Sequence, residues 1–318
     1  MNSIRGYLFI LGASLFWGIS ATIAQYLLSH EFDTLVLVQM RMTISCLLLL
    51  TYFIFFKRHL LKVRFNDLYR FALLGVIGLA GSNFTYYFTI KETNVATAII
   101  LQYMAPLLVL AYAALSKEEE LNWIKLSAGV LSLTGCFFAV TGKDFSIVHI
   151  SQIGLITGIA SAFCWSFTNV WLRHLLKVYT VWTCLIYSFI FASIFWLFFN
   201  PPWNLIDANY TPETWGIFWG FAILSILIPH SFYYLGLRYL TPSRAIITAT
   251  FEPVIAILSA YIFLDEILAP IQIIGAVFVI IAIGVLQLKK EENLSSPLEQ
   301  LDRASTQEHS VSQTENHI

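Results

Sequence analysis

Two ionisable side chains, Arg41 and Glu252, stand inside long apolar runs of this 318-residue sequence. Placing a charge at the centre of a bilayer costs about 3 kcal/mol on insertion scales, so each marks chemistry that needs a charge. Arg41 has three open readings: attraction of an anionic group on a solute, snorkelling towards water, or a structural pair with a carboxylate such as Glu252. Glu252 lies between Phe251 and Pro253. Proline removes a backbone donor and disturbs its helix, so a neighbouring carboxylate can sit near unsatisfied backbone and water. Such a group fits a proton carrier, and equally a structural role where a helix begins. His230 follows Pro229 and titrates near neutral pH. It suits gating or proton coupling, or else a hydrogen-bonded, inert place in a bundle.

Around these charges the apolar runs carry Trp17, Tyr86, Tyr87, Tyr103, Trp165, Tyr233 and Tyr234, with Asn83, Gln102 and Asn169 nearby. A mostly apolar pocket with a few polar groups is what a small organic solute requires. Core packing explains the same aromatics, and an interfacial belt explains Trp123 and Trp215. Cys46, Cys136, Cys164 and Cys184 occur singly without any CxxC pair, and are read as small packing residues.

The elements that must position these residues are membrane helices. Hydrophobic residues make up 58% of the chain and charged ones 12%, with a mean hydropathy of +0.73. Ten stretches between residues 6 and 288 approach the roughly 20 apolar residues that span about 30 Å of hydrocarbon. They are apolar all round, without the period of two that a membrane barrel needs. The chain is therefore expected to be an all-α integral membrane protein with ten transmembrane helices. If the N-terminus is inside, the outer connections hold only Lys91 and Lys143, and Arg41 lies within a span. The rest of the 18 Lys and Arg then fall inside. That bias places both termini in the cytoplasm. The outer stretch around residues 200–212 has turn and anchor residues, and Asn209 begins an Asn-Tyr-Thr sequon.

Much of the sequence occurs twice. Gly6 and Trp17 recur as Gly154 and Trp165, offset by 148, and Tyr86, Tyr87 and Pro106 recur as Tyr233, Tyr234 and Pro253, offset by 147. Each copy carries five spans, an odd number, so the second crosses in the opposite sense and the two form inverted repeats. The first repeat covers 5–142, the second 152–288, and the polar stretch 289–318 reads as a disordered cytoplasmic tail. Two mismatches break the symmetry: Asn83 aligns with His230, and Ala105 with Glu252.

Several chemistries are missing. The sequence has no GxxxxGK[ST] phosphate loop, no HExxH, no GxSxG and no paired acidic clusters for Mg²⁺. No enzymatic activity and no cofactor are expected, and any uphill transport must draw on an ion or solute gradient. Gly75, Gly78 and Gly81 space a GxxG pattern in the third span, read as a helix contact.

The stretches Thr93–Pro106 (TNVATAIILQYMAP) and Leu240–Pro253 (LTPSRAIITATFEP) resemble the EamA family of the drug/metabolite transporter superfamily. So do the Leu264-Asp265-Glu266 ending followed by Gly275, and the opening Gly12–Ser20 (GASLFWGIS) with Arg41 in the next span. The resemblance covers about residues 5–288. It implies a ten-helix inner-membrane carrier with a central cavity, exporting amino acids, metabolites or drugs. In the first repeat Lys117-Glu118-Glu119 matches the family's acidic position, and Asp265-Glu266 does so in the second. These acids stand at span ends, where anchoring is expected. The first copy has Ala105 where the second has Glu252, which argues against any role needing that acid twice.

Together these readings give a gradient-driven exporter of small metabolites working by alternating access. Its cavity is formed mainly by spans 1, 3, 4, 6, 8 and 9. The expected partners are a small-molecule substrate and the lipid bilayer, with no nucleic acid; monomer and homodimer are both open. The alternative is a non-transporting membrane sensor or assembly protein, which would depend on the tail.

Overall fold

The computed structural model describes residues 2–29, 34–142, 151–201, 203, 210–263 and 267–288. The 289–318 tail, Asn209 and Asp265-Glu266 lie outside these described residues. Among the described residues, ten helices are long and apolar enough to cross a membrane: α1 (Ser3–Ala24), α2 (Leu35–Phe56), α3 (Phe65–Glu92), α4 (Val95–Ser116), α5 (Trp123–Thr141), α6 (Gln152–Leu175), α7 (Val181–Phe199), α8 (Pro212–Tyr239), α9 (Pro242–Phe263) and α10 (Pro270–Gln287). The first N–H groups of a helix lack intrahelical acceptors, and a short polar side chain at the N-cap supplies one. Asn94, Asn122 and Ser151 do so for α4, α5 and α6, accepting from Thr97, Lys125 and Gly154 at 2.8, 2.9 and 2.9 Å. Prolines at the first turns of α9 and α10 remove the need there.

Helix neighbours repeat across the two halves. In the first repeat α1 packs on α8 and α9; in the second, α6 packs on α3 and α4. The α2–α8 contact likewise has its counterpart in α7–α3, while α2–α7 and α5–α10 pair each helix with its own equivalent. This is the pattern a pseudo-two-fold axis produces from five-helix units of opposite sense.

The helices that approach this axis are irregular at matching places. Leu74–Gly81 of α3 and Ile223–Leu227 of α8 wind as π-helix. The α4 helix breaks between Val95–Gln102 and Ala105–Ser116, and α9 between Pro242–Ala249 and Glu252–Phe263. Pro106 and Pro253 explain both breaks, because each removes the N–H that would reach the carbonyl four residues earlier. In α9 that freed carbonyl belongs to Ala249, and the Ser14 hydroxyl of α1 donates to it at 3.4 Å. Cys136 Sγ reaches the neighbouring Thr250 carbonyl at 3.7 Å.

The GxxG pattern of α3 is a helix contact. A Cβ on Gly75 would lie 2.7 Å from the Ser188 carbonyl of α7, and one on Gly78 would lie 2.6 Å from Thr168 Oγ1 of α6. The four cysteines are unpaired thiols, three of them buried. Trp123 is 83% exposed at the start of α5, where an interfacial anchor belongs.

Candidate functional site

The two interrupted helices meet. Tyr103 stands in the break of α4, and its hydroxyl donates to Glu252 Oε2 at 2.9 Å, at the first residue after the break of α9. Glu252 is half-buried, and the Tyr103 hydroxyl is its one side-chain hydrogen-bond partner among the described residues. A carboxylate at the start of a 12-residue helix also faces the positive end of the helix dipole.

Arg41 does not pair with Glu252. Its Nη2 donates to Asn83 Oδ1 at 2.7 Å, and Asn83 Nδ2 in turn donates to the Leu79 carbonyl at 2.8 Å. The Asn83 amide is thereby oriented with its oxygen towards the guanidinium. The guanidinium carbon lies 5.3 Å from the Tyr87 ring centroid and 5.9 Å from that of Phe221. Both distances fall within cation–π range. Arg41 Nε is buried without a hydrogen-bond partner, and Arg41 forms no ion pair among the described residues. Tyr86 stands edge-on to Tyr87 at 5.3 Å.

Beside these charges stands an aromatic cluster drawn from α1, α6 and α8. Trp17 lies 5.8 Å from Trp165, 5.3 Å from Tyr233 and 5.2 Å from His230. Trp17 and Trp165, equivalent residues of the two repeats, are in direct contact. The buried His230 ring donates from Nδ1 to the Ile226 carbonyl at 3.0 Å, because a carbonyl can only accept. Phe189 and Tyr234 close around it at 5.9 and 6.4 Å. Asn169 is fully buried, bonded to the Trp165 carbonyl and accepting from the Tyr233 hydroxyl.

Other residues singled out in the sequence stand apart from the charges. Gln102 bridges Ser161 Oγ at 2.9 Å and Ser82 Oγ at 3.3 Å, tying α4 to α6 and α3. Tyr234 is fully buried against Ser188 of α7 at 3.1 Å. Ser14, Ser82, Ser161 and Phe221 also belong to this region. None of the four was singled out in the sequence, although Ser14 falls within the Gly12–Ser20 stretch.

At the helix ends named by the acidic motif, both glutamates are anchors. Glu119 bonds Lys125 Nζ at 2.9 Å and accepts from the Ser243 hydroxyl and backbone N–H, joining the α4–α5 connection to the start of α9. Glu118 reaches His174 Nε2 at 3.0 Å. Nearby, Arg244 donates to Tyr7 Oη at 3.2 Å, and Arg173 to the Leu237 and Arg238 carbonyls.

A family model described as the EamA-like transporter family matches residues 4–141 and again 152–288. The chain is 26% identical over 271 residues to the uncharacterized inner membrane transporter YicL of Salmonella typhimurium, covering 83% of this chain and 89% of that protein. It is 27% identical over 241 residues to the threonine/homoserine exporter RhtA of Escherichia coli, covering 73% and 77% respectively. A solved crystal structure shares the fold with a TM-score of 0.71 at 17% identity, over 89% of this chain and 96% of the other.

Proposed function

The chain belongs to the EamA-like transporter family of the drug/metabolite transporter superfamily, and on that premise we propose a gradient-driven membrane transporter. It exports small metabolites, such as amino acids or drug-like solutes, by alternating access between its two five-helix halves. The observation that carries this reading is the meeting of the broken helices α4 and α9 through Tyr103 and Glu252. Interrupted helices at the interface of inverted repeats are where secondary transporters hold solutes and coupling ions. Relatives named as an inner membrane transporter and a threonine/homoserine exporter support the direction and the solute class. The basic residues support both termini on the cytoplasmic side.

The site consists of Trp17, Arg41, Tyr86, Tyr87, Tyr103, Trp165 and Glu252, with Asn83, Gln102, Asn169, His230, Tyr233 and Tyr234 fixing the walls. We assign proton coupling to Glu252 rather than to His230. Glu252 stands where α9 is interrupted, with Tyr103 as its one side-chain hydrogen-bond partner among the described residues, whereas the His230 ring is enclosed by aromatics and committed to a backbone carbonyl.

The test is reconstitution of the full chain in liposomes. Amino acids, nucleosides and cationic drugs are offered with and without a pH gradient. Movement of at least one solute, accelerated by a gradient, is the expected result. A panel in which nothing moves under either condition rejects the transporter reading.

A further inference from the structure

The broken helices do not meet evenly along their length. Ala105–Ser116 of α4 packs on Pro242–Ala249 of α9, where Val109, Leu110, Ile246 and Ile247 are buried in one cluster. The repeat matches these segments to Glu252–Phe263 and Val95–Gln102, which show no comparable packing on each other among the described residues. With the N-terminus inside, the packed halves are the cytoplasmic ones, so this conformation is shut towards the cytoplasm. A polar contact crosses the two repeats at the same end. Glu119, paired with Lys125 at 2.9 Å, accepts from the Ser243 hydroxyl and, at 3.3 Å, from the Ser243 backbone N–H. Glu119 aligns with another acid, Glu266, but Ser243 aligns with Ala96 and Lys125 with Gln272. Alanine has no hydroxyl to donate. Gln272 has no charge, and it bonds the Ala269 N–H and the Ala139 carbonyl at 2.8 and 3.2 Å. The duplication therefore builds this contact at one end only.

We propose that Glu119, Lys125 and Ser243 form a clasp that holds the cytoplasmic side shut and sets the resting state of the carrier. This inference rests on the transporter reading above. Two inverted repeats of identical sequence would favour neither face, because exchanging the conformations of the halves turns one state into the other. A bond present at one end alone favours the state that keeps that end closed, and shifts the populations by its own strength. The Glu119 and Lys125 side chains are each 7% exposed, so water and salt weaken this contact far less than a surface pair. A solute entering from the cytoplasm must wait for the clasp to open. Release on the other side breaks no equivalent contact.

The experiment measures how fast a membrane-impermeant maleimide, offered to the cytoplasmic face of inside-out vesicles, labels Val109→Cys in the full-length protein. Val109 is buried where α4 packs on α9, so its label reports opening of that end, and the native thiols alone set the background. Labelling should be slow, because the open state is the minor one. Adding Ser243→Ala removes one hydrogen bond to a charged group and should speed labelling about tenfold, since the rate follows the open fraction. Glu119→Met with Lys125→Met removes the clasp without stranding a charge and should do at least as much. Thr157→Ala is the control: it removes a hydroxyl contact between the repeats at the opposite end, where Thr89 donates to Thr157 at 2.8 Å. It should not speed labelling. A rise with either clasp variant and none with the control supports the inference, whereas general loosening would move all three. Labelling that is already fast without a clasp variant overturns it, as does a rate that neither clasp variant changes, or one that Thr157→Ala raises equally. The readout needs no solute, so flux in the same vesicles judges the transporter reading separately.

Discussion

The hydroxyl of Tyr103 donates to Glu252 Oε2 at 2.9 Å, joining the interrupted turn of one repeat to that of the other. Tyr103 aligns with Thr250 in the second copy, and Glu252 with Ala105 in the first. The contact is therefore made of two residues that the duplication does not share.

If the Tyr103 hydroxyl acts through Glu252, the two residues should be coupled. Tyr103→Phe conserves the ring and should lower gradient-driven flux by about tenfold, the scale of one hydrogen bond to a charged group. Glu252→Gln should remove the gradient dependence altogether. The double variant should be no slower than Glu252→Gln alone, since contacting residues are not additive. Losses that multiply in the double variant would show that the two act separately.

Glu119 and Lys125 form an ion pair whose side chains are each 7% exposed, and Glu119 also holds Ser243 at the start of α9. Removing one member of a buried pair strands the other charge, at a cost of about 3–5 kcal/mol. Glu119→Ala should therefore lower the Tm of the detergent-solubilised protein sharply. Glu119→Met with Lys125→Met should recover most of it, because the stranded charge is gone. A double variant as unstable as the single one would mean that the Ser243 contact, not the ion pair, sets the stability.

The spans and the repeat are legible in the sequence because the transfer of a 20-residue run into hydrocarbon depends on composition alone. Arg41 and Glu252 are legible for the same reason, as charges where charges are costly. Their partners are not. Pairing across helices depends on rotation and depth, so the structure gives Asn83 to Arg41 and Tyr103 to Glu252. Proline at 106 and 253 signals a disturbed helix, yet nothing in its spacing reveals that Ser14, far away in sequence, caps the freed Ala249 carbonyl. Nor does composition separate Trp17 and Trp165, which meet beside the charges, from Tyr234, which packs against α7.

Glu118, beyond the end of α4, reaches His174 near the end of α6 at 3.0 Å. Partial burial pushes the Glu118 carboxyl upward, but the hydrogen bond and charge of His174 outweigh it and hold the group below its usual value. A depressed carboxyl stabilises the fold above its ordinary range near about 4.3 and loses that contribution as pH falls through the lowered value. The His174 side chain is 36% exposed and that of Glu118 44%, so the effect is under about 1 kcal/mol. The wild type should hold a small stability advantage over Glu118→Gln between pH 5 and pH 6, shrinking below pH 4. Thermal melts across that series check it, and an advantage that grows with acid would contradict the assigned sign.

The α5 and α10 helices, equivalents in the two repeats, touch backbone to backbone. A Cβ on Gly275 would lie 2.5 Å from the Ala139 nitrogen, and one on Gly135 would lie 2.7 Å from the Gly275 carbonyl. Neither obstacle is a side chain that can swing aside, so even one methyl must push the helices apart. Gly284, on the same helix as Gly275, has nothing within 4 Å of the same position. Alanine is the better helix former by about 1 kcal/mol, so propensity alone favours substitution at both sites. Packing decides between them: Gly275→Ala should lower the Tm by an amount matching about 1–3 kcal/mol of overpacking, while Gly284→Ala should leave it unchanged or slightly raised. Because both variants add the same methyl to the same helix, equal Tm values would show that close approach of α5 and α10 does not hold the two repeats together.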